Sequence, residues 1–328
     1  MLFLFLCGKE PLKNICEKKP IDGMLYNINR KRKKQKKEVM SMYYSPLRYP
    51  GGKRKLAPLM RKMIEKTGKK VYIEPFAGGA SVALELIETG AVDRIVLNDS
   101  DIRIYAFWQE ILNETDRFIK TIETVPLTID EWEKQREICM NPDEHSLFDI
   151  GFSTFYMNRT NRSGILKGGV MGGKNQSGSY TMDTRFNKEH LAERIRRVAE
   201  KKDCIDLYCS DVRDFIDDVL PKYADRAFCY FDPAYVKKGS SIYIESLKTR
   251  DHVEIAKKII NTKNNNWIIT YDNEQIIRKI YEDYPIREFE LNYSISSSHV
   301  GREIMIFGSE TLVPDQEKGG KNGRNYHV

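Results

Sequence analysis

The fold is decided by Val71-Tyr72-Ile73-Glu74-Pro75-Phe76-Ala77-Gly78-Gly79-Ala80-Ser81-Val82-Ala83-Leu84. A short apolar run stops at an acid and a proline, passes two glycines and resumes as small and apolar residues. That succession reads as strand, tight turn and helix, the opening of a nucleotide-type α/β unit. Glycines let a turn pass close beneath a ligand, and the small Ala80 and Ser81 let the next helix pack near it. A second strand, Arg94-Ile95-Val96-Leu97, ends at Asn98-Asp99. Asp99 stands 20 positions after Gly79, where an acid closing the second strand hydrogen-bonds ribose hydroxyls. The glycines do not form Gly-x-Gly-x-x-Gly, and no diphosphate-cradling run follows. The ligand implied is a nucleoside without a pyrophosphate, such as S-adenosylmethionine, rather than a dinucleotide.

Further along, Ala227-Phe228-Cys229-Tyr230 reads as a buried strand that runs into Phe231-Asp232-Pro233-Ala234-Tyr235. Ligands of open α/β sheets bind outside the carboxyl ends of the strands, so a carboxylate there is placed for chemistry. Alone, the same residues read equally well as a strand cap. Strand-like runs also end at Asp211 and at Asp272-Asn273, with helices expected from Asp214 and over Val253 to Ile260. The last elements expected are a helix over 276–281, a strand over 289–293 and a run over 301–307. Before the first strand, Tyr49-Pro50-Gly51-Gly52-Lys53 predicts an exposed turn leading into a helix through Met63.

Charge narrows the search for a partner surface. The chain of 328 residues has a net charge of +7, with 31% charged and 11% aromatic residues, as a soluble folded enzyme has. Residues 1–40 carry eleven Lys/Arg against four Asp/Glu, which is the whole of that excess, so the rest is neutral. Residues 1–41 show no periodicity and read as a basic, disordered arm or an upstream extension. Any nucleic-acid surface on the body must therefore be local. The clearest patch lies between Ile150 and Met182, a stretch without acids that holds Arg159, Arg162, Lys167 and Lys174. Asn158, Asn161, Asn175 and Gln176 add amides of the kind that pair with adenine edges. Around it the pattern is helical, with Trp132, Phe148, Phe152 and Phe155 as core anchors. No run approaches the roughly 20 apolar residues of a membrane span, and no export signal opens the chain. The six cysteines show neither Cys-x-x-Cys pairs nor a zinc spacing. A cytoplasmic protein without a metal is expected.

Taken together and in order, Tyr49-Pro-Gly-Gly-Lys53, Glu74-Pro-Phe-Ala-Gly-Gly79, Asn98-Asp99, Asn158-Arg159 and Asp232-Pro-Ala-Tyr235 resemble the Dam-like adenine-specific DNA methyltransferases. The likeness runs from about Tyr44 to Phe307, with the donor motif first, then target recognition, then the catalytic strand (the alpha order). It implies a Rossmann-like S-adenosylmethionine-dependent α/β sheet with an inserted, mostly helical target-recognition domain. The catalytic domain would span 42–108 and 201–310, the insertion 109–200, with a flexible tail over 311–328. By that likeness Tyr49 and Lys53 contact the methyl donor, Phe76, Gly78 and Gly79 form the floor beneath it, and Asp99 holds its ribose. Glu74, Asp211 and Asp232 complete the donor set. Asp232, Pro233 and Tyr235 form the catalytic corner, and Asn158, Arg159, Asn161, Arg162, Lys167 and Lys174 the DNA contacts. Ala234 departs from the family pattern, which usually has a second proline there. The partner implied is double-stranded DNA, with a cognate restriction enzyme left open and a monomer or weak dimer expected. Two alternatives stay open at this point: a DNA-binding relative that has lost turnover, and a methylase of RNA or of a free small molecule. No cysteine follows a proline, which counts against methylation at a cytosine ring carbon.

Overall fold

The computed structural model describes residues 44–48, 53–236, 247–292 and 300–314. The basic arm, Tyr49 with the Pro50-Gly51-Gly52 turn, most of the Val236–Thr249 stretch and the tail lie outside the described residues.

Parallel strands buried on both faces need near-continuous apolar sequence, and the chain supplies it. Among the described residues the strands are β1 (Val71–Glu74), β2 (Arg94–Asn98), β3 (Ile205–Tyr208), β4 (Ala227–Phe231), β5 (Trp267–Asp272), β6 (Ile286–Asn292) and β7 (Val300–Phe307). They form one sheet in the order β3-β2-β1-β4-β5-β7-β6. The first five run parallel, and β7 inserts antiparallel between β5 and β6. The sheet therefore grows outward from β1 to β3, then restarts at β4 on the other side. The crevice between β1 and β4 is the topological switch point, where ligands of such sheets bind.

Helices cover both faces. On one side lie α1 (Ala57–Thr67) and α2 (Ser81–Glu88), then five helices between β2 and β3. These are α3 (Ile102–Asn113), α4 (Thr115–Thr124), α5 (Ile129–Met140), α6 (Leu147–Thr160) and α7 (Lys188–Ala199). On the other side pack α8 (Val212–Asp214) with its π-helical continuation Phe215–Val219, α9 (Thr249–Ile260) and α10 (Gln275–Ile280). Alternate strand residues feed the two cores: Tyr72, Ile95 and Phe228 point to the first, Ile73, Val96 and Cys229 to the second.

Local chemistry explains the helix starts. Asp101, Thr128, Ser146 and Asn187 each accept a backbone N–H from the first turn of α3, α5, α6 and α7. The helix expected from Asp214 begins two residues earlier because Asp211 caps it at Arg213 N. The inserted helices share the core of the sheet. Phe107 of α3 stacks on Phe155 of α6, with ring centroids 5.9 Å apart, and Phe118 meets Phe107, Phe148 and Phe155 edge-on. Gly151 lets α3 and α6 approach: a Cβ there would lie 2.7 Å from the Ala106 carbonyl oxygen. Residue 108, the expected domain edge, falls inside α3.

Candidate active site

Because five strands run parallel, their carboxyl ends share one edge, and acids cluster along it. Glu74 closes β1, Asp99 follows β2, Asp211 follows β3, Asp232 follows β4 and Asp272 closes β5. Asp232 holds the centre, at the switch point.

The Asp232 carboxylate is held on two sides. Lys53 Nζ donates to Oδ1 at 2.9 Å and to Oδ2 at 3.1 Å, while Thr270 Oγ1 donates to Oδ1 at 2.6 Å. The β4–β5 register pairs Phe231 with Ile269, so Asp232 falls level with Thr270. Tyr230 OH backs Thr270 at 2.8 Å. Lys53 is almost fully buried, and its ammonium also reaches Tyr235 OH at 2.5 Å and Glu303 Oε2 at 3.7 Å. The same ammonium sits 4.7 Å from the centre of the Tyr235 ring, so one face of that ring meets a cation. Burial, then the Asp232 and Glu303 charges, push the Tyr235 hydroxyl well above its usual range, which keeps it a neutral phenol. Pro233 is buried, Ala234 is half-buried, and Val236 N–H donates to Asp272 Oδ1 at 3.1 Å. The chain leaving the corner is thus tied back to β5.

The glycine turn is pinned from two sides. Gly78 adopts φ +45°, donates its N–H to Asp99 Oδ2 at 2.9 Å and accepts from Trp108 Nε1 at 2.9 Å. Asp99 Oδ1 accepts Asp101 N–H, and Asp99 itself stays half-exposed. Gly79 is buried in the turn, and Phe76 is half-buried against the second core. Ala80 also takes a left-handed conformation, φ +44°. Glu74 is buried and accepts Ala83 N–H of α2 at 3.1 Å. Desolvation raises its carboxyl to about 8, against the opposing pull of that hydrogen bond. Asp211 is bound at both oxygens by the Arg213 guanidinium, which lowers its pKa.

The residues of the acid-free window divide. Asn158 is buried and bridges three backbone groups: it accepts Arg48 N–H and donates to the carbonyls of Arg48 and Gly164. Arg159 is buried and donates to the Pro46 carbonyl. Asn161 is buried, accepting from Trp132 Nε1 at 2.8 Å and donating to the Ile165 and Leu166 carbonyls. These three brace the loop from within. Arg162 and Lys174 are exposed and Lys167 is half-exposed. Lys174 pairs with Glu133 at 2.7 Å, and with Lys167 it flanks a cleft of about 560 Å³ along Trp132 and Arg136. The residues of the window face two ways because α6 continues through Thr160 and carries its side chains into the core.

Sequence reading missed Thr270, Tyr230, Glu303 and the anchoring use of Asp272. A signal existed: Thr270 and Glu303 are polar positions within apolar strand runs, and β5 pairs Asp272 with Glu303 directly. Lone polar residues on central strands need partners.

The chain is 22% identical over 267 residues to the Type II methyltransferase M.MjaIII of Methanocaldococcus jannaschii, covering 74% of this chain and 89% of that protein. Two solved structures of the rRNA methyltransferase aviRa from Streptomyces viridochromogenes align at 11% identity with a TM-score of 0.34, over 80–81% of this chain and 88% of theirs. Residues 49–295 match the D12 class N6 adenine-specific DNA methyltransferases, a span that holds the glycine turn, the braced window and the Asp232 corner. With the switch-point edge built as described, the chain belongs to the D12 class N6 adenine-specific DNA methyltransferase family.

Proposed function

We propose that this chain is a site-specific enzyme that transfers a methyl group from S-adenosylmethionine to the N6 amine of adenine in duplex DNA. The observation that carries the reading is the Asp232-Pro233 corner, held at the switch point by buried Lys53 and by Thr270.

The residues present fit the donor. The glycine turn is tied open at Gly78 by Asp99 and Trp108, and Asp99 is exposed enough to offer acceptor capacity to a ribose. Phe76 and Gly79 lie in the same turn, and Lys53 brings a buried cation to Asp232 at the end of the neighbouring strand β4. When bound, S-adenosylmethionine supplies an already activated sulfonium methyl group. The work left to the chain is orientation and activation of the amine.

Adenine's amine is a poor nucleophile because its lone pair is delocalised into the ring. The Asp232 carboxylate and the Pro233 carbonyl accept its two hydrogens and localise that pair. Both bonds align better as the nitrogen becomes tetrahedral, so they strengthen toward the transition state. Thr270 fixes the carboxylate orientation, and Asp272 fixes the exit of the loop through Val236 N–H. The target base must leave the duplex, at a cost of a few kcal/mol. Tyr235, whose ring already holds Lys53 against one face, offsets part of that by stacking, worth about 1–3 kcal/mol. The loop after α6, with Arg162, Lys167 and Lys174 along it, supplies the DNA face. The protein would act on DNA in the cytoplasm as a monomer or weak dimer. No helix among the described residues is long and apolar enough to cross a membrane.

The test is incorporation of tritiated methyl from S-adenosylmethionine into unmethylated duplex DNA, followed by nucleoside analysis. Label in N6-methyladenine is expected. Absence of label on any DNA, with label on RNA of matching sequence, would replace the substrate assignment.

A further inference from the structure

Four arginines meet where the segment Tyr44–Arg48 crosses the end of α6. Arg159 from α6 donates to the Pro46 carbonyl, and Arg194 from α7 donates to the Ser45 carbonyl at 3.3 Å. Asn158 grips Arg48 at both its backbone N–H and its carbonyl, each at 2.7 Å. Gly164 closes the other side: it has φ +76°, and a Cβ there would stand 2.3 Å from the Arg48 carbonyl oxygen. The Arg48 backbone is therefore held rigidly, and its charge acts on those of Arg185 and Arg159.

Bracing accounts for Arg159 and Arg194 but not for the other two. Arg48 Nη1 is shielded from solvent and has no hydrogen-bond partner among the described residues. Arg185, on the short turn Met182–Arg185, is exposed beside it. Among the described residues no carboxylate pairs with Arg48, Arg159 or Arg185 within ion-pair distance. Burial lowers the Arg48 pKa and Arg185 lowers it further, while Arg159 falls to about 9 through burial and then Arg194, Arg48 and Arg185. A buried cation such as Arg159, crowded by other cations, is strongly unfavourable unless an anion joins them. In a body whose charges otherwise balance, this concentration calls for a counter-ion. Guanidinium forks match the tetrahedral oxygens of phosphate.

We propose that Arg48, Arg159, Arg185 and Arg194 form a phosphate site entered past Arg185, and that in the working enzyme it holds a backbone phosphate of the bound DNA. The second half rests on the DNA-methylating reading above. Arg48 stands five residues before Lys53, the lysine that grips Asp232, so a phosphate seated here would set the DNA in register with the catalytic corner.

Two measurements on the full chain test this. The first is thermal melting in inorganic phosphate against chloride at matched ionic strength. Phosphate is expected to raise the melting temperature of the wild type, and not of Arg48→Gln or Arg185→Gln. The second is the salt dependence of duplex binding, whose log–log slope should fall by about 0.9 in Arg185→Gln. Stabilisation with an unchanged slope would make the occupant a free oxyanion and remove the DNA assignment. A reduced slope without stabilisation would leave only a surface contact at Arg185 and overturn the buried site. Absence of both effects would overturn the proposal entirely. Should Arg48→Gln fail to fold, Arg185→Gln, at an exposed position, carries both measurements. Methyl transfer assayed in parallel separates the two readings: turnover on DNA with neither effect removes the phosphate site alone, and phosphate stabilisation without turnover removes the substrate reading alone.

Discussion

The sheet edge and the inserted helical block use polar residues in opposite ways. At the edge, Asp232, Lys53, Glu303 and Thr270 converge from four separated segments and face one another across the switch point. In the block, Asn158, Arg159 and Asn161 turn away from the surface and spend their hydrogen bonds on nearby loop carbonyls. The contrast teaches that a charged or amide residue has two fates. A strand end projects it into a crevice, whereas a helix that continues through it can bury it as a brace. The edge should therefore answer to mutation in turnover and the block in stability.

The largest effect is expected at the edge. Asp232→Ala removes an acceptor that strengthens toward the transition state, and methyl transfer should fall by about 10²–10³-fold or more. The melting temperature should hold or rise, because Lys53 keeps Glu303 as a partner. Single-turnover kinetics beside a thermal melt check this; a collapse of stability with parallel loss of activity would make Asp232 a brace like Asn158. The mirror experiment is Asn158→Ala, which leaves the Arg48 N–H and two carbonyls unsatisfied. A loss of about 2–3 kcal/mol in urea unfolding is expected. Gly151→Ala probes the block without touching polar groups. Its methyl meets the α3 backbone rather than a movable side chain, so about 1–3 kcal/mol should be lost.

How much of this was legible follows from the same contrast. Glu74, Asp99 and Asp232 could be placed because a parallel strand that ends on an acid has one geometric outcome. Lys53 was placed by likeness to a known family, and the structure adds that its ammonium reaches Asp232 itself. Thr270 and Glu303 were not seen, since their roles depend on the β4–β5 and β5–β7 registers, which no local pattern encodes. At Asn158, Arg159 and Asn161 the window turns inward for a simpler reason. Absence of acids marks a basic stretch, but it does not say which side chains a helix will carry inward. Arg162, one residue past the braced Asn161, escapes because the helix has ended and its side chain is free to point outward.

Glu74 sharpens the comparison from within the edge, as an acid that behaves like a brace. Its folded pKa of about 8 lies above the ordinary carboxyl value of 4.5, so the folded state holds its proton more tightly than the unfolded state. The stability it confers is full below pH 4.5 and is lost as pH rises toward 8. Glu74→Gln keeps the shape without the titration. Its melting temperature should match the wild type under acid conditions and exceed it progressively toward pH 8; parallel curves would show that Glu74 is ionised in the fold.

The smallest effect is expected at Arg162, and it bears most directly on where DNA lies. Arg162 is exposed, and its backbone N–H already bonds the Gly169 carbonyl, so truncating the side chain leaves the loop intact. If it touches one phosphate, Arg162→Ala should reduce the log–log salt slope of duplex binding by about 0.9 and weaken binding uniformly across sequences. Melting temperature and single-turnover rate at saturating DNA should stay at wild-type values, since nothing in the core or at Asp232 depends on it. Fluorescence anisotropy across a salt series decides the matter. An unchanged slope would move the DNA face off this side of the block and toward the Lys167–Lys174 cleft, whose lysines then become the next pair to truncate.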